Sequence, residues 1–362
     1  MDVEGTKMEL NELLGRITPP DEAARERAAA RWRACAKPLG SLGALESAIE
    51  DVAALTGSAE VTLSPRAVLV LCADNGVVAQ GVTQTDGSVT AKVAFQLPCG
   101  CTAVGCMARV ADCRVIPVDF GIRDFPGAEG VQMRRVGNGT ADFTAGPAMT
   151  RAQAEQAIRY GIELVRDEAA QGTKLLAAGE MGIGNTTTAA AVASVLLGQS
   201  VEMLSGRGAG LSDAGLARKI DAIRRGIERN RPDASDALDV LRALGGFDIA
   251  GMCGVFLGGA LYGVPVLVDG FISAVAALCA LRLCPRARKA MLASHVSAEP
   301  GGALVLRALG KTPLITAGLR LGEGTGAVAA MPLLEMALAV YRECYTFEDG
   351  GIEAYTPQEG KP

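Results

Sequence analysis

Five short apolar runs constrain this chain most: residues 67–72, 114–118, 174–178, 264–268 and 290–293 read as strands, and helical periodicity fills the intervals between them. Antiparallel neighbours need only tight turns, whereas parallel strands need long crossovers, so this alternation predicts an α/β fold built on a parallel sheet flanked by helices. The helix before the third strand is well marked, because Thr150 and Gln153 form a capping-box pattern and Gly172 stands at its exit. Before about residue 58 the pattern is helical, over 21–36 and 42–55, and a last apolar helix runs from Gly326 to about Cys344. A helical start and finish around one α/β body suggest that the two ends meet as a small helical domain. The expected division is 1–60 as its first part, 61–325 as the catalytic α/β domain, 326–345 as the returning helix, and 346–362 as a mobile polar tail.

Composition narrows the function. Aromatic residues make up 4% and glycines number 45, which describes a core of small aliphatic side chains suited to close helix-on-sheet packing. A formal charge of -5 with no local Lys/Arg cluster offers no surface for nucleic acid or anionic lipid, so a small-molecule ligand is expected. Ten cysteines without a C-x-x-C pair, and His295 as the one histidine, support neither a disulfide framework nor a metal site. Residues 249–268 carry no charge over twenty positions, long enough for a membrane span. Five glycines and Pro265 interrupt them, and a buried helix, a turn and a short strand fit better. The first ten residues lack the order of a secretory signal, so a cytoplasmic protein is expected.

In open parallel sheets, ligands bind beyond the carboxyl ends of the strands. Those positions are acidic here: Asp74, Asp119, Glu180 and Asp269. Any one of them reads as a helix cap, but four together favour a site. Gly182-Ile-Gly-Asn-Thr186 lies between the third strand and an Ala-rich helix, where flexible backbone can turn several N–H groups toward an anion such as phosphate. It is neither a P-loop nor a dinucleotide fingerprint. A second glycine run, Gly206-Arg-Gly-Ala-Gly210, precedes an Asp213-capped helix carrying Lys219, and Arg207 or Lys219 could complete a phosphate site. Gly322-Glu-Gly-Thr-Gly326 sets Glu323 among glycines, where either close ligand approach or a helix-dipole role accounts for it.

Together with Lys37-Pro-Leu-Gly-Ser-Leu-Gly43, Gly245-Gly-Phe-Asp-Ile-Ala-Gly251, Val268-Asp-Gly-Phe271, Ser294-His-Val-Ser-Ala-Glu299 and Arg320-Leu-Gly-Glu-Gly-Thr-Gly326, these motifs resemble the nicotinate-nucleotide:dimethylbenzimidazole phosphoribosyltransferase family, in one order from about Leu10 to Cys344. The resemblance implies a homodimer with a Rossmann-like sheet and a small helical domain from both chain ends. It implies that Glu323 takes the imidazole proton of the base as the other nitrogen attacks nicotinate mononucleotide, with Glu180 a second carboxylate at the site. It further implies that Gly182, Ile183, Gly184, Asn185, Thr186, Gly208, Lys219 and Asp269 hold phosphate and ribose. Asp74, Asn75, Thr85, Val93, Ser297, Leu321 and Gly322 correspond to the nicotinate and acceptor pocket. Neither metal nor cofactor is implied, because a pyridinium departs as a neutral ring. Asn75, Thr85 and Val93 stand where better-known relatives carry His, Ser and Gln, which leaves other benzimidazoles, purines or phenols open as acceptors. A catalytically weak partner subunit is a further alternative, and a dinucleotide-dependent oxidoreductase lacks its fingerprint.

Overall fold

The computed structural model describes residues 9–356 of the chain. In order, the elements are α1 (Leu10–Gly15), α2 (Glu22–Ala34), α3 (Ala44–Thr56), β1 (Arg66–Ala73), α4 (Ser88–Gln96), α5 (Ala103–Val110), β2 (Cys113–Gly121), β3 (Gln132–Met133) and α6 (Arg151–Ala170). There follow β4 (Leu175–Met181), α7 (Asn185–Leu197), α8 (Val201–Leu204), α9 (Asp213–Asn230), α10 (Ala237–Leu244), α11 (Phe247–Tyr262), β5 (Val266–Val268), α12 (Phe271–Leu283), β6 (Met291–Ala293), α13 (Gly302–Leu309) and α14 (Thr325–Glu343). The six strands are parallel in the order β3-β2-β1-β4-β5-β6, the doubly wound order whose direction of winding reverses between β1 and β4.

Both sheet faces are covered, as an all-parallel sheet requires. Along β1 the two-residue period sends Ala67, Leu69, Leu71 and Ala73 into one core with α6, α7, α11 and α12. Val68, Val70 and Cys72 enter the other core, with α2, α3, α5 and α14. On the first face α6 and α11 meet almost backbone to backbone: a methyl group on Gly254 would overlap the Ile158 carbonyl, and one on Gly161 the Gly251 carbonyl. Glycine is required there by the approach, which also explains why the run beginning at Ile249 is so small and apolar. It forms buried α11, a turn and β5, as its interrupting residues predict. A second apolar stretch, 88–110, has membrane-spanning length but is divided at Pro98 and Gly100 between α4 and α5.

The chain ends meet on the second face, where Trp32 of α2 packs edge-on to Tyr341 of α14 at 4.9 Å and Arg31 Nε donates to the Tyr341 carbonyl at 2.9 Å. Lys37, in the first of the quoted motifs, pairs with Glu46 at 2.6 Å in the turn between α2 and α3, a structural role. The first part of the mobile tail expected from residue 346 packs on the body. Thr346 bridges to Cys35, Phe347 is buried, and Ile352 N–H donates to the Phe347 carbonyl. An apolar anchor and backbone pairing hold this stretch, while 357–362 lie outside the described residues, as do residues 1–8. Strand β3 was not expected, since two exposed residues at a sheet edge leave no apolar pattern. Helix α9 is capped by the Ser212 hydroxyl, which accepts from Gly215 N–H; Asp213 is its first residue rather than its cap.

Candidate active site

A cavity opens beyond the carboxyl ends of β4 and β5, beside the switch point of the sheet. Of the four acidic strand ends, Glu180 and Asp269 line it. Asp119 does not: its carboxylate accepts from Gly121 and Ile122 N–H at 2.8 Å each and from Arg135 Nε and Nη2 at 3.0 and 2.7 Å. Asp74 also turns aside, accepting from Arg123 N–H at 2.8 Å. Both are occupied in shaping the loop after β2. Asp269 has two roles, since it lines the cavity while its Oδ1 accepts from Ala327 N–H in the first turn of α14 at 2.8 Å and so fixes the start of that helix against the site.

Glu323 sits in a turn where three successive residues are left-handed: Gly322, Glu323 and Gly324, with φ of 94°, 58° and 81°. For glycine this costs little, but for Glu323 it is an uncommon backbone state. The turn is held by Glu323 N–H donating to the Glu180 carbonyl at 3.1 Å. Gly179 permits this approach, because a methyl group there would lie 2.7 Å from Gly324 N. The outcome is a half-buried carboxylate facing the cavity, with Oε2 3.4 Å from the Val104 N–H at the start of α5. Burial pushes the Glu323 carboxyl above its ordinary range, and the Val104 N–H offsets part of that.

The glycine loop forms another part of the lining. Gly184 is left-handed with φ of 92° and serves as the N-cap of α7, which presents Asn185 and Thr186. Thr186 Oγ1 accepts from Lys219 Nζ at 2.9 Å, and Lys219 also donates to the Gly206 carbonyl at 3.0 Å. Lys219 is wholly buried behind the loop, and desolvation pulls it down to about 8, while Glu299 draws it back up. Its direct partners are a hydroxyl and a carbonyl, with Glu299 as the nearby countercharge, and a phosphate at the Thr186 loop would add to that countercharge. Gly208 carries φ of 52°, and a methyl group there would be 3.1 Å from Thr186 Oγ1. Arg207 lines the same side and pairs with Asp213.

Thr85, Gly182, Ile183, Ser297, Leu321 and Gly322 complete the lining as expected from sequence. Asn75 and Val93 are not part of it: Asn75 Nδ2 points to the Ile183 carbonyl at 3.4 Å, and Val93 of α4 packs against the second core. Three residues went unassigned in the sequence. Asp248 and Glu299 lie inside quoted motifs, and Gln84 reaches the Ala209 carbonyl at 3.2 Å across the cavity. Asp248, wholly buried in the first turn of α11, accepts from Asn185 Nδ2 at 2.9 Å, and the same nitrogen donates to Glu180 Oε2. Burial first, and then the neighbouring Asp248, push Glu180 well above the carboxylate range; Asp248 itself is raised to about 6. Glu180, Asp269 and Glu323 thus bring three carboxyl groups to the cavity, Arg207, Arg320 and Glu299 add charges of both signs to its lining, and Lys219 stands outside the lining, buried behind the Thr186 loop. Groups of both signs around one cavity suit a ligand that carries a phosphate and develops positive charge.

Comparison with known proteins finds relatives along nearly the whole chain. A family model described as Phosphoribosyltransferase matches residues 17–352. Nicotinate-nucleotide–dimethylbenzimidazole phosphoribosyltransferase from Acetivibrio thermocellus is 46% identical over 91% of this chain and 93% of its own, and that from Ruminiclostridium cellulolyticum 43% identical over 97% and 100%. The crystal structure of CobT from Thermus thermophilus superposes with a TM-score of 0.87 at 40% identity, covering 92% of this chain and all of that one. The chain belongs to the phosphoribosyltransferase family that contains these nicotinate-nucleotide–dimethylbenzimidazole enzymes.

Proposed function

We propose that the chain transfers the phosphoribosyl group of nicotinate mononucleotide to 5,6-dimethylbenzimidazole in this cavity, with Glu323 as general base. The observation that carries the reading is one cavity lined both by a half-buried carboxylate on a left-handed turn, Glu323, and by the Thr186 and Gly208 loop, behind which the buried Lys219 donates to the Thr186 hydroxyl. The donor phosphate sits at the Thr186 and Gly208 loop, where Lys219 supplies charge. Its ribose then lies toward Glu180 and Asp269, and Ser297 faces the nicotinate.

The bond between C1' and the pyridinium nitrogen breaks with its electron pair going to nitrogen, so nicotinate leaves with a neutral ring. The free imidazole nitrogen of the base forms the new bond to C1' from the opposite face, inverting it from β to α. Its other nitrogen gives up its proton to Glu323. Positive charge gathers on the ribose as the old bond lengthens, and the Asp269 carboxylate stabilises it in the manner of glycoside hydrolysis. The lifted Glu323 carboxyl is the stronger base for this step.

A homodimer accords with the apolar 88–110 stretch, where an apolar 18-residue window is only 28% buried within one chain and Phe95 is exposed. We place the reaction in the cytoplasm. The test is mass spectrometry of the purified chain's products from nicotinate mononucleotide and dimethylbenzimidazole. Equimolar nicotinate and α-ribazole 5'-phosphate are expected, and absence of both from a folded preparation contradicts the proposal.

A further inference from the structure

The amide of Asn185 lies between two buried carboxylates, donating from Nδ2 both to Glu180 Oε2 and to Asp248 Oδ2. Asp248 makes no approach to the cavity: it has no exposed surface, and its Oδ1 accepts from Ile249 N–H at 3.0 Å. Its place is sterically reserved. A methyl group on Gly182 would lie 2.7 Å from Asp248 Oδ2, and one on Gly246 would overlap Oδ1. Two glycines, one in the phosphate loop and one at the start of α11, thus leave room for a carboxylate that does not line the cavity. Glu180 differs, because it lines the cavity and its Oε1 points at the Gly322 turn, 2.7 Å from where a methyl on Gly322 would stand.

We propose that Asp248 is a positioning residue that acts through Asn185 and Glu180: it clamps the amide at the head of α7 and, by its charge, keeps Glu180 as the neutral acid that donates a hydrogen bond into the cavity. Asn185 offers two N–H groups, one for each carboxylate, and what joins the pair is this neutral amide rather than a cation. Two carboxylates converging on one neutral donor do not both ionise readily, and the pair retains a proton. The groups facing Glu180 add to this: Asp248 on α11, Asp269 after β5 and Glu323 before α14 all favour its protonated form, and Asn185 opposes them. Asp248 receives N–H donation from Asn185 and Ile249 and is faced by Asp74 from the end of β1. The proton therefore rests on Glu180, and its Oε1 side is open to the ligand. In this arrangement the two glutamates of the cavity are not interchangeable. Glu323 takes a proton, and Glu180 offers one in a hydrogen bond to a ribose or nicotinate oxygen without releasing it.

The inference rests on the reading of this cavity as the transfer site, and the experiment separates the two. Steady-state kinetics of the full chain with nicotinate mononucleotide and dimethylbenzimidazole are measured across pH for wild type, Glu180→Gln, Glu180→Asp, Asp248→Asn and Glu323→Gln. Gln at 180 keeps a neutral donor and an acceptor for Asn185, so Glu180→Gln is expected to retain kcat within about tenfold, whereas Glu180→Asp, too short to reach, loses more. Asp248→Asn removes the charge, and the alkaline limb of kcat is expected to move down by about one to three pH units, the usual effect of one neighbouring charge. Should that variant not fold, infrared difference spectra of wild type against Glu180→Gln decide: a protonated carboxyl band at neutral pH, absent from the variant, is expected. Glu180→Gln falling as low as Glu323→Gln, an unmoved alkaline limb in folded Asp248→Asn, or no such band overturns the inference. Full activity in Glu323→Gln overturns the site reading itself.

Discussion

Replacement of Lys219 by methionine sets stability and donor binding against each other. The ammonium has no exposed surface, and it donates to the Thr186 hydroxyl and the Gly206 carbonyl. Desolvation brings it from 10.5 to about 8, and that difference is worth about 3 kcal/mol of cost to the folded chain while the group is charged in both states. The folded form holds fewer protons than the unfolded one between about pH 8 and 10.5, so stability should rise with pH across that window and be lowest below it. Lys219→Met removes the cost but leaves two acceptors without their donor, at about 1 kcal/mol each. The ligand-free variant should therefore be more stable than wild type by about 1 kcal/mol at pH 7, seen as a slightly higher thermal midpoint. Donor binding should move the other way, weakening by about 10- to 100-fold, the range for a charge-assisted hydrogen bond. In wild type, nicotinate mononucleotide affinity should also fall as pH rises through about 8, with proton uptake on binding above that pH. Calorimetric titration in buffers of different ionisation enthalpy, between about pH 6.5 and 9.5, brackets that value and measures both. Donor affinity that is independent of pH in wild type and unchanged in Lys219→Met would refute the assignment of this lysine to the phosphate.

Gly254→Ala should cost about 3 kcal/mol or more and lower the thermal midpoint, because its methyl has no space against the Ile158 carbonyl and α6 and α11 must separate. Light scattering at micromolar concentration should give twice the mass of one chain; a monomer would contradict a homodimer. A competition among benzimidazoles for limiting nicotinate mononucleotide should yield several products within about a hundredfold in efficiency, since the apolar side chains that line the cavity, Met181 and Leu321 among them, discriminate by about 1 to 3 kcal/mol per methylene. A single product from the dimethyl compound would count against that.

Much of the architecture was legible because burial writes apolar runs and helical periods into sequence. The eight residues of β1 are all buried, and the capping box at Thr150 and Gln153 is present as expected. What sequence could not separate was which strand-end carboxylates face the ligand. Asp74 and Asp119 look like Glu180 and Asp269 in a one-dimensional reading, and only the distant donors Arg123 and Arg135 assign them to the fold. Asp248 was visible merely as a charge flanking an apolar run, though a carboxylate in the buried first turn of such a helix signals an internal partner. The Val104 N–H at Glu323 bridges residues 219 positions apart, a contact that no local pattern encodes.

The central claim is that Glu323 is the base at this site, and single-turnover kinetics of Glu323→Gln test it most directly. Saturating nicotinate mononucleotide and dimethylbenzimidazole would be used from about pH 5 to 9, with donor affinity measured separately. A turnover lower by about two to four orders of magnitude is expected, with loss of the acid limb that the raised Glu323 carboxyl should give wild type and with donor affinity unchanged. A Glu323→Gln chain that turns over within about tenfold of wild type with the same pH profile would contradict it.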